Sequence, residues 1–212
     1  MLAIVSQVEI RAICPLGIRG IGVPLTKAER NVLKTAKEIA ELTRNDLDAV
    51  DKWDNGEYRR YAIMGAINQM VTGEIIIRYT LLDELFTSLI AKYFFHVPKQ
   101  PTNFKKWWRT KKFKIFNHYI MDEMFLLRKM QIIHAIKPLP GNIQSSIHRI
   151  NSVRNAFAHS FFPENRREHR KLGKVLYMGK DIRTPEGLDA FITDAHDTYN
   201  FIAKRVYPGW VN

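Results

Sequence analysis

The chain has 212 residues, 46% of them apolar, with 12 Phe, 4 Trp and 8 Tyr, and its 33 Lys and Arg outweigh 21 Asp and Glu to give a formal net charge of +12. Apolar and aromatic content of this kind builds a core and excludes a disordered chain. The lone Cys14 excludes a disulfide scaffold and sets the expectation of a reducing, cytoplasmic setting. The cation excess favours an anionic partner such as RNA, DNA or acidic lipid, the alternative being a basic surface kept for solubility.

The first 25 residues hold Pro15, Gly17, Gly20, Gly22 and Pro24 within ten positions and read as an extended arm. Met1–Val8 has neither the basic start nor the length of a secretory leader. Thr26 and Glu29 form a capping box, in which hydroxyl and carboxylate each satisfy a backbone N–H of the first turn. Apolar residues then recur at helical spacing through Val50, and a second helix is expected over Tyr58–Met70, so residues 26–70 read as N-terminal helices. Gly73 precedes the strongest helical segment, Glu74–Phe95, with Ile75, Tyr79, Leu82, Leu85, Phe86, Leu89 and Ile90 on one wide stripe. Arg78, Asp83, Glu84 and Lys92 interrupt that run, so no membrane span is expected.

Pro98 and Pro101 end that segment, and a basic aromatic stretch follows. Further helices are expected over about 119–136 and 143–159, separated by Pro138, Pro140 and Gly141. Val175–Met178 and Asp181–Arg183, around Gly179, suggest a small hairpin. Thr184-Pro185-Glu186 opens the last helix, with proline in the favoured first turn and cations at the far end. The expected fold is all-α, five or six helices with a hairpin before the last.

The informative string is Asn151-Ser152-Val153-Arg154-Asn155-Ala156-Phe157-Ala158-His159-Ser160. On a helix, Ile143, Ile147, Ile150, Arg154, Phe157 and Phe161 recur at steps of three and four, so a guanidinium interrupts an apolar stripe. Burying it costs several kcal/mol unless an anion or acceptors meet it. Asn155 and His159 are one turn apart, close enough for the amide to orient the imidazole. Arg154 and His159 are about 140° apart around the axis and form no tight pair on one helix. Two copies meeting across a two-fold axis would bring them into one cleft, Arg154 binding phosphate and His159 moving protons.

Arg154-Asn155-Ala156-Phe157-Ala158-His159 resembles the R-N-x-x-x-H signature of HEPN domains. Leu81–Leu85 is similar to the family's first core helix, Leu127–Ser160 to the helical stretch entering the motif, and Lys180–Phe191 to the segment after it. The resemblance implies an up-and-down helical bundle over residues 71–207 and a homodimer. It further implies metal-independent RNA cleavage, as in toxins and antiviral defence proteins, with an antitoxin or nucleotidyltransferase as a possible partner and no cofactor. Arg154 would then stabilise charge on the phosphorane-like transition state, His159 would serve as general base or acid, and Asn155 would orient His159 or touch the phosphate. The same Arg-Asn-x-x-Ala-His occurs in the mannitol-repressor-like branch, which is regarded as regulatory. The alternative is therefore a non-catalytic module that binds nucleotide, nucleic acid or a partner protein through the same pocket. A third reading leaves Arg154 paired with an acid such as Asp83 or Glu84, or cementing a dimer, and His159 as a helix-terminal residue.

Two basic clusters are candidate RNA contacts. Lys105, Lys106, Arg109, Lys111 and Lys112 interleave with Trp107 and Trp108, cations for phosphates and rings for bases. The competing reading packs the rings inward and leaves the lysines in water. Arg166, Arg167 and Arg170 follow the motif closely, as substrate contacts or as a solvated loop. Metal ligation is not expected, because His96, His118, His134, His148, His169 and His196 show no ligand spacing. Cys14 lacks a His/Asn pattern that would make it a nucleophile, and Gly17–Gly22 lacks phosphate-loop spacing.

Overall fold

A computed structural model describes residues 56–95, 108–160, 163–167, 169 and 171–206, together with Lys27, and side chains from Ile63 onward. The chain divides into two units, Met1–Asp46 and Leu47–Asn212, and the architecture below is that of the second. The expected arm over 1–25 and the helices expected before residue 56 lie outside the described residues, apart from Lys27.

The first described helix, α1, runs from Gly56 to Phe95. The sequence predicts a break at Gly73 between two helices, but none occurs, and the helix is continuous from Gly56 to Phe95. Nothing lies within 4 Å of where a Gly73 side chain would start. A glycine inside a helix costs about 1 kcal/mol relative to alanine but keeps its N–H in the ladder, unlike proline. Forty residues make a rod about 60 Å long, and its predicted stripe is the spine of the core, with Ile75, Leu82, Leu85, Phe86 and Ile90 all buried.

Helix α2 is short, Lys111–Phe116, and continues as a π-helical turn over Asn117–Met121. Helix α3 spans Leu126–Ile136. The single helix expected from residue 119 is therefore two pieces joined by a turn. The Asn117 amide donates to Asp122 at 2.9 Å, and Phe125 enters α3 with extended backbone. Helix α4, Gly141–Ala158, and helix α5, Pro185–Val206, fall where the sequence places them. Helices α3, α4 and α5 all pack on α1, and α4 also packs on α3 and α5. Lys92 of α1 closes the far end of α5 by donating to the Val206 carbonyl at 2.8 Å.

The hairpin pairs β1, Leu176–Tyr177, with β2, Lys180–Asp181, antiparallel, Leu176 opposite Asp181 and Tyr177 opposite Lys180. Its two-residue turn is Met178-Gly179, both at positive φ, 49° and 82°. Such turns match the twist of the strands they join. The hairpin leads directly into α5. Gly187, in the first turn of that helix, lies so close to the Asp181 carbonyl that an added Cβ would sit 1.9 Å from its oxygen. Thr184 caps this turn, accepting from the Gly187 amide at 3.2 Å and donating to the Asp181 carbonyl at 2.9 Å. Among the described residues the fold is thus five α-helices with one two-stranded hairpin.

Candidate functional site

Helix α4 buries Ile143, Ile147, Ile150 and Phe157 against the rest of the bundle, as its spacing predicts. Phe161, the last member of that stripe, lies outside the described residues. Arg154 stands within the stripe and is half-buried. Its guanidinium lies over the ring of Tyr79 on α1, 4.8 Å from the centroid. Its Nη1 donates to Asn155 Oδ1 at 3.2 Å, while its Nε is buried with no hydrogen-bond partner among the described residues. No carboxylate pairs with it among the described residues. A bridge from Arg154 to Asp83 or Glu84 is therefore not formed.

The reason lies one turn along α1. Asp83 Oδ2 accepts from Lys129 Nζ at 2.6 Å, and Lys129, 2% exposed, also donates to the Thr87 hydroxyl at 3.0 Å. Lys129 thus occupies this acid. Burial raises the Asp83 carboxyl above its usual range despite the Lys129 contact, and the Arg154 charge only partly offsets that. The Tyr79 phenol is likewise raised, mainly by burial, with Arg154 and the backbone amide of Leu126 pulling the other way.

His159 follows the last residue of α4, with φ −113° and ψ 4°, and is exposed. No hydrogen bond joins it to Asn155 among the described residues, so the expected orienting pair is absent. Asn155 instead turns its side-chain oxygen to Arg154 and offers its backbone carbonyl to Arg166 Nη1 at 2.6 Å. A guanidinium with free N–H groups competes well for a short amide acceptor. Arg154 faces α1 and His159 faces solvent, so no direct bond joins them within one chain.

The basic clusters divide. Lys105, Lys106, Trp107 and Arg170 lie outside the described residues. Trp108 is half-buried and meets buried Phe113 edge-on, ring centroids 4.3 Å apart. Lys112 lies over the Phe95 ring at 5.2 Å, and Phe95 packs on Phe116 at 4.9 Å. Arg109, Lys111 and Lys112 are exposed. In this part of the segment the rings pack inward and the cations face water. Arg166 is tied to the motif through the Asn155 carbonyl, and Arg167 is exposed beside it.

A second arginine was not singled out from the sequence. Arg183, after β2, donates Nε to Asn68 Oδ1 at 2.7 Å, pairs its Nη2 with Glu164, and sits over the Phe157 ring at 5.8 Å. Nearby, Asp194 of α5 accepts from the Tyr177 hydroxyl at 2.5 Å and from Arg149 Nη2 at 2.7 Å. Burial, reinforced by Asp194, pushes the Tyr177 phenol well above its normal range. These contacts fix the hairpin and the turn at Pro163–Asn165 around the end of α4.

No three His, Cys, Asp or Glu side chains converge as a metal site among the described residues. No described helix is long and apolar enough to cross a membrane. Compared with known proteins, the chain matches no family model, no curated sequence and no solved structure.

Proposed function

We propose that this protein is a metal-independent endoribonuclease of the HEPN type, working as a homodimer in the manner of toxin or phage-defence nucleases. The observation that carries the reading is the state of Arg154, a cation set in an apolar stripe on an aromatic ring, with a buried Nε that no group satisfies among the described residues. A group so placed is held ready for an anion from outside the chain. His159 stands exposed just past the end of the same helix. Pairing of two copies at this end would carry the imidazole of one to the guanidinium of the other.

In the cleavage, the ribose 2′-oxygen bonds to the adjacent phosphorus as its proton passes to a base, and the P–O5′ bond breaks. The leaving 5′-oxygen takes up a proton, and the products are a 2′,3′-cyclic phosphate and a 5′-hydroxyl. His159 serves one of these proton transfers, an effect of about 10²–10⁴-fold in rate. Arg154 stabilises the charge that builds on the phosphoryl oxygens. Arg166, held against the motif by the Asn155 carbonyl, and Arg167 contact the RNA backbone.

The test is cleavage of single-stranded RNA in the presence of EDTA. The wild type is expected to cut, and His159→Ala and Arg154→Ala are expected not to. Failure of the wild type to cut any RNA overturns the nuclease reading. One observation favours a second reading, a regulatory module that binds RNA or nucleotide through Arg154 without chemistry: Asn155 is engaged by Arg154 and does not hold His159. That reading expects binding without cleavage, lost in Arg154→Ala and retained in His159→Ala.

A further inference from the structure

The turn of α1 that follows Tyr79, the ring carrying Arg154, is joined to the first turn of α3, which opens at Leu126, by Lys129 donating to Asp83 Oδ2 at 2.6 Å. The residue just before Leu126, Phe125, is 80% exposed, the most exposed of the large apolar side chains described. Its backbone accepts the first turn of α3, from the Arg128 amide at 2.9 Å and the Lys129 amide at 3.2 Å. Lys129 in turn is locked to Asp83 and Thr87 of α1. The ring therefore stands on a fixed backbone while its face is open to water. Leaving a phenyl group in water forgoes the free energy of burying it, and at 80% exposure its own packing does not call for an aromatic residue here.

We infer that Phe125 is a stacking platform for a nucleobase of single-stranded RNA whose backbone phosphate is held by Arg154, the start of α3 being tied to the α1 turn beside Tyr79 by the Lys129–Asp83 contact. This rests on the RNA reading of Arg154 and adds the element that selects a single strand, since a base held in a duplex cannot present its face. The local charge fits a division of labour. Asp122 and Glu123 precede Phe125, Asp122 already accepting from Asn117, while Arg128 follows on the exposed side of α3. With charge so mixed at this end, the ring face supplies the affinity there and Arg154 supplies the cation. Stacking on an aromatic side chain is worth about 1–3 kcal/mol per base, and any base can use it.

The experiment is fluorescence anisotropy of a short labelled 2′-O-methyl oligouridine, which cannot be cut through its 2′-oxygen, and of an abasic strand of equal length. Phe125→Ala is expected to weaken oligouridine binding about 5- to 150-fold, from the stacking range above, and Phe125→Trp to restore it. Neither change should alter binding of the abasic strand. Because Phe125 is exposed, circular dichroism and melting should be unchanged. If Phe125→Ala binds oligouridine as wild type while Arg154→Ala does not, the stacking platform is wrong and the cation site stands. If neither substitution matters, or the wild type does not bind, the RNA reading itself is wrong. A shift of Phe125→Ala toward monomer in sedimentation, with RNA binding intact, assigns the ring to a protein contact and overturns the inference.

Discussion

Two arginines lie at the C-terminal half of α4, Arg154 on the helix and Arg183 packed against it, and they are treated in opposite ways. Arg183 rests over Phe157, donates to Asn68 and pairs with Glu164. Among the described residues, Arg154 rests over Tyr79, has one neutral acceptor from the adjacent residue and keeps a buried N–H without a partner. A buried cation supplied with a carboxylate is a structural rivet. One held on a ring, with no counter-charge among the described residues, is what the proposed phosphate site would use. The contrast separates architecture from site within a single bundle, and substitutions can test it from either side.

The largest effect is expected on the structural side. Arg183→Ala removes the cation that pairs with Glu164 and one donor to Asn68, and should cost about 3–5 kcal/mol in denaturant unfolding. On the other side, Lys129→Met strips Asp83 of its cation. The sign follows from linkage. The Asp83 carboxyl, already raised by burial, rises further in the folded variant while its unfolded value stays the same. Below the unfolded carboxylate range the group is protonated in both states and the change costs little; as pH climbs through and above that range, the deficit grows to about 3 kcal/mol. Unfolding curves at pH 4 and pH 7 check this, and a gap that narrows with rising pH would contradict it.

Gly187→Ala drives a methyl group into the Asp181 backbone and should cost about 2–3 kcal/mol by loosening the hairpin from α5. Met178→Asn places in the turn a residue that tolerates positive φ better, with a gain of about 0.5–1 kcal/mol. Arg154→Met is the smallest in stability, within about 1 kcal/mol of wild type or above it, since it removes an unsatisfied donor instead of breaking a pair. A loss for Arg154→Met as large as that for Arg183→Ala would erase the distinction.

How much of this was legible in the sequence depends on range. Local signals carried well. The α4 stripe, the turn at Gly179 and the Thr184-Pro185 opening of α5 are set by residues within a few positions of one another, and the helices and hairpin form there. Gly73 misled because a glycine lowers helix propensity without breaking it, and packing along α1 makes up the difference. The turn before α3 was hidden because Tyr119–Ile136 is apolar enough to read as continuous helix. At the site, Arg154 stood out as a cation among aliphatic residues, which is a local pattern. Its ring partner Tyr79 appeared only as one member of a stripe. That Lys129 would take Asp83, that Glu164 would take Arg183, and that Asn155 would turn to Arg154 are choices among distant or competing partners, which spacing does not encode.

The most direct test of the central claim, that a guanidinium from one copy and an imidazole from another act on one phosphate, is complementation. Arg154→Ala and His159→Ala are each purified, shown to be folded and inactive on single-stranded RNA in EDTA, then mixed under conditions that exchange subunits. A mixed dimer keeps one cleft with both groups intact, so cleavage is expected to return in part. If the mixture stays inactive while exchange is demonstrated and the wild type cuts, the shared cleft is contradicted.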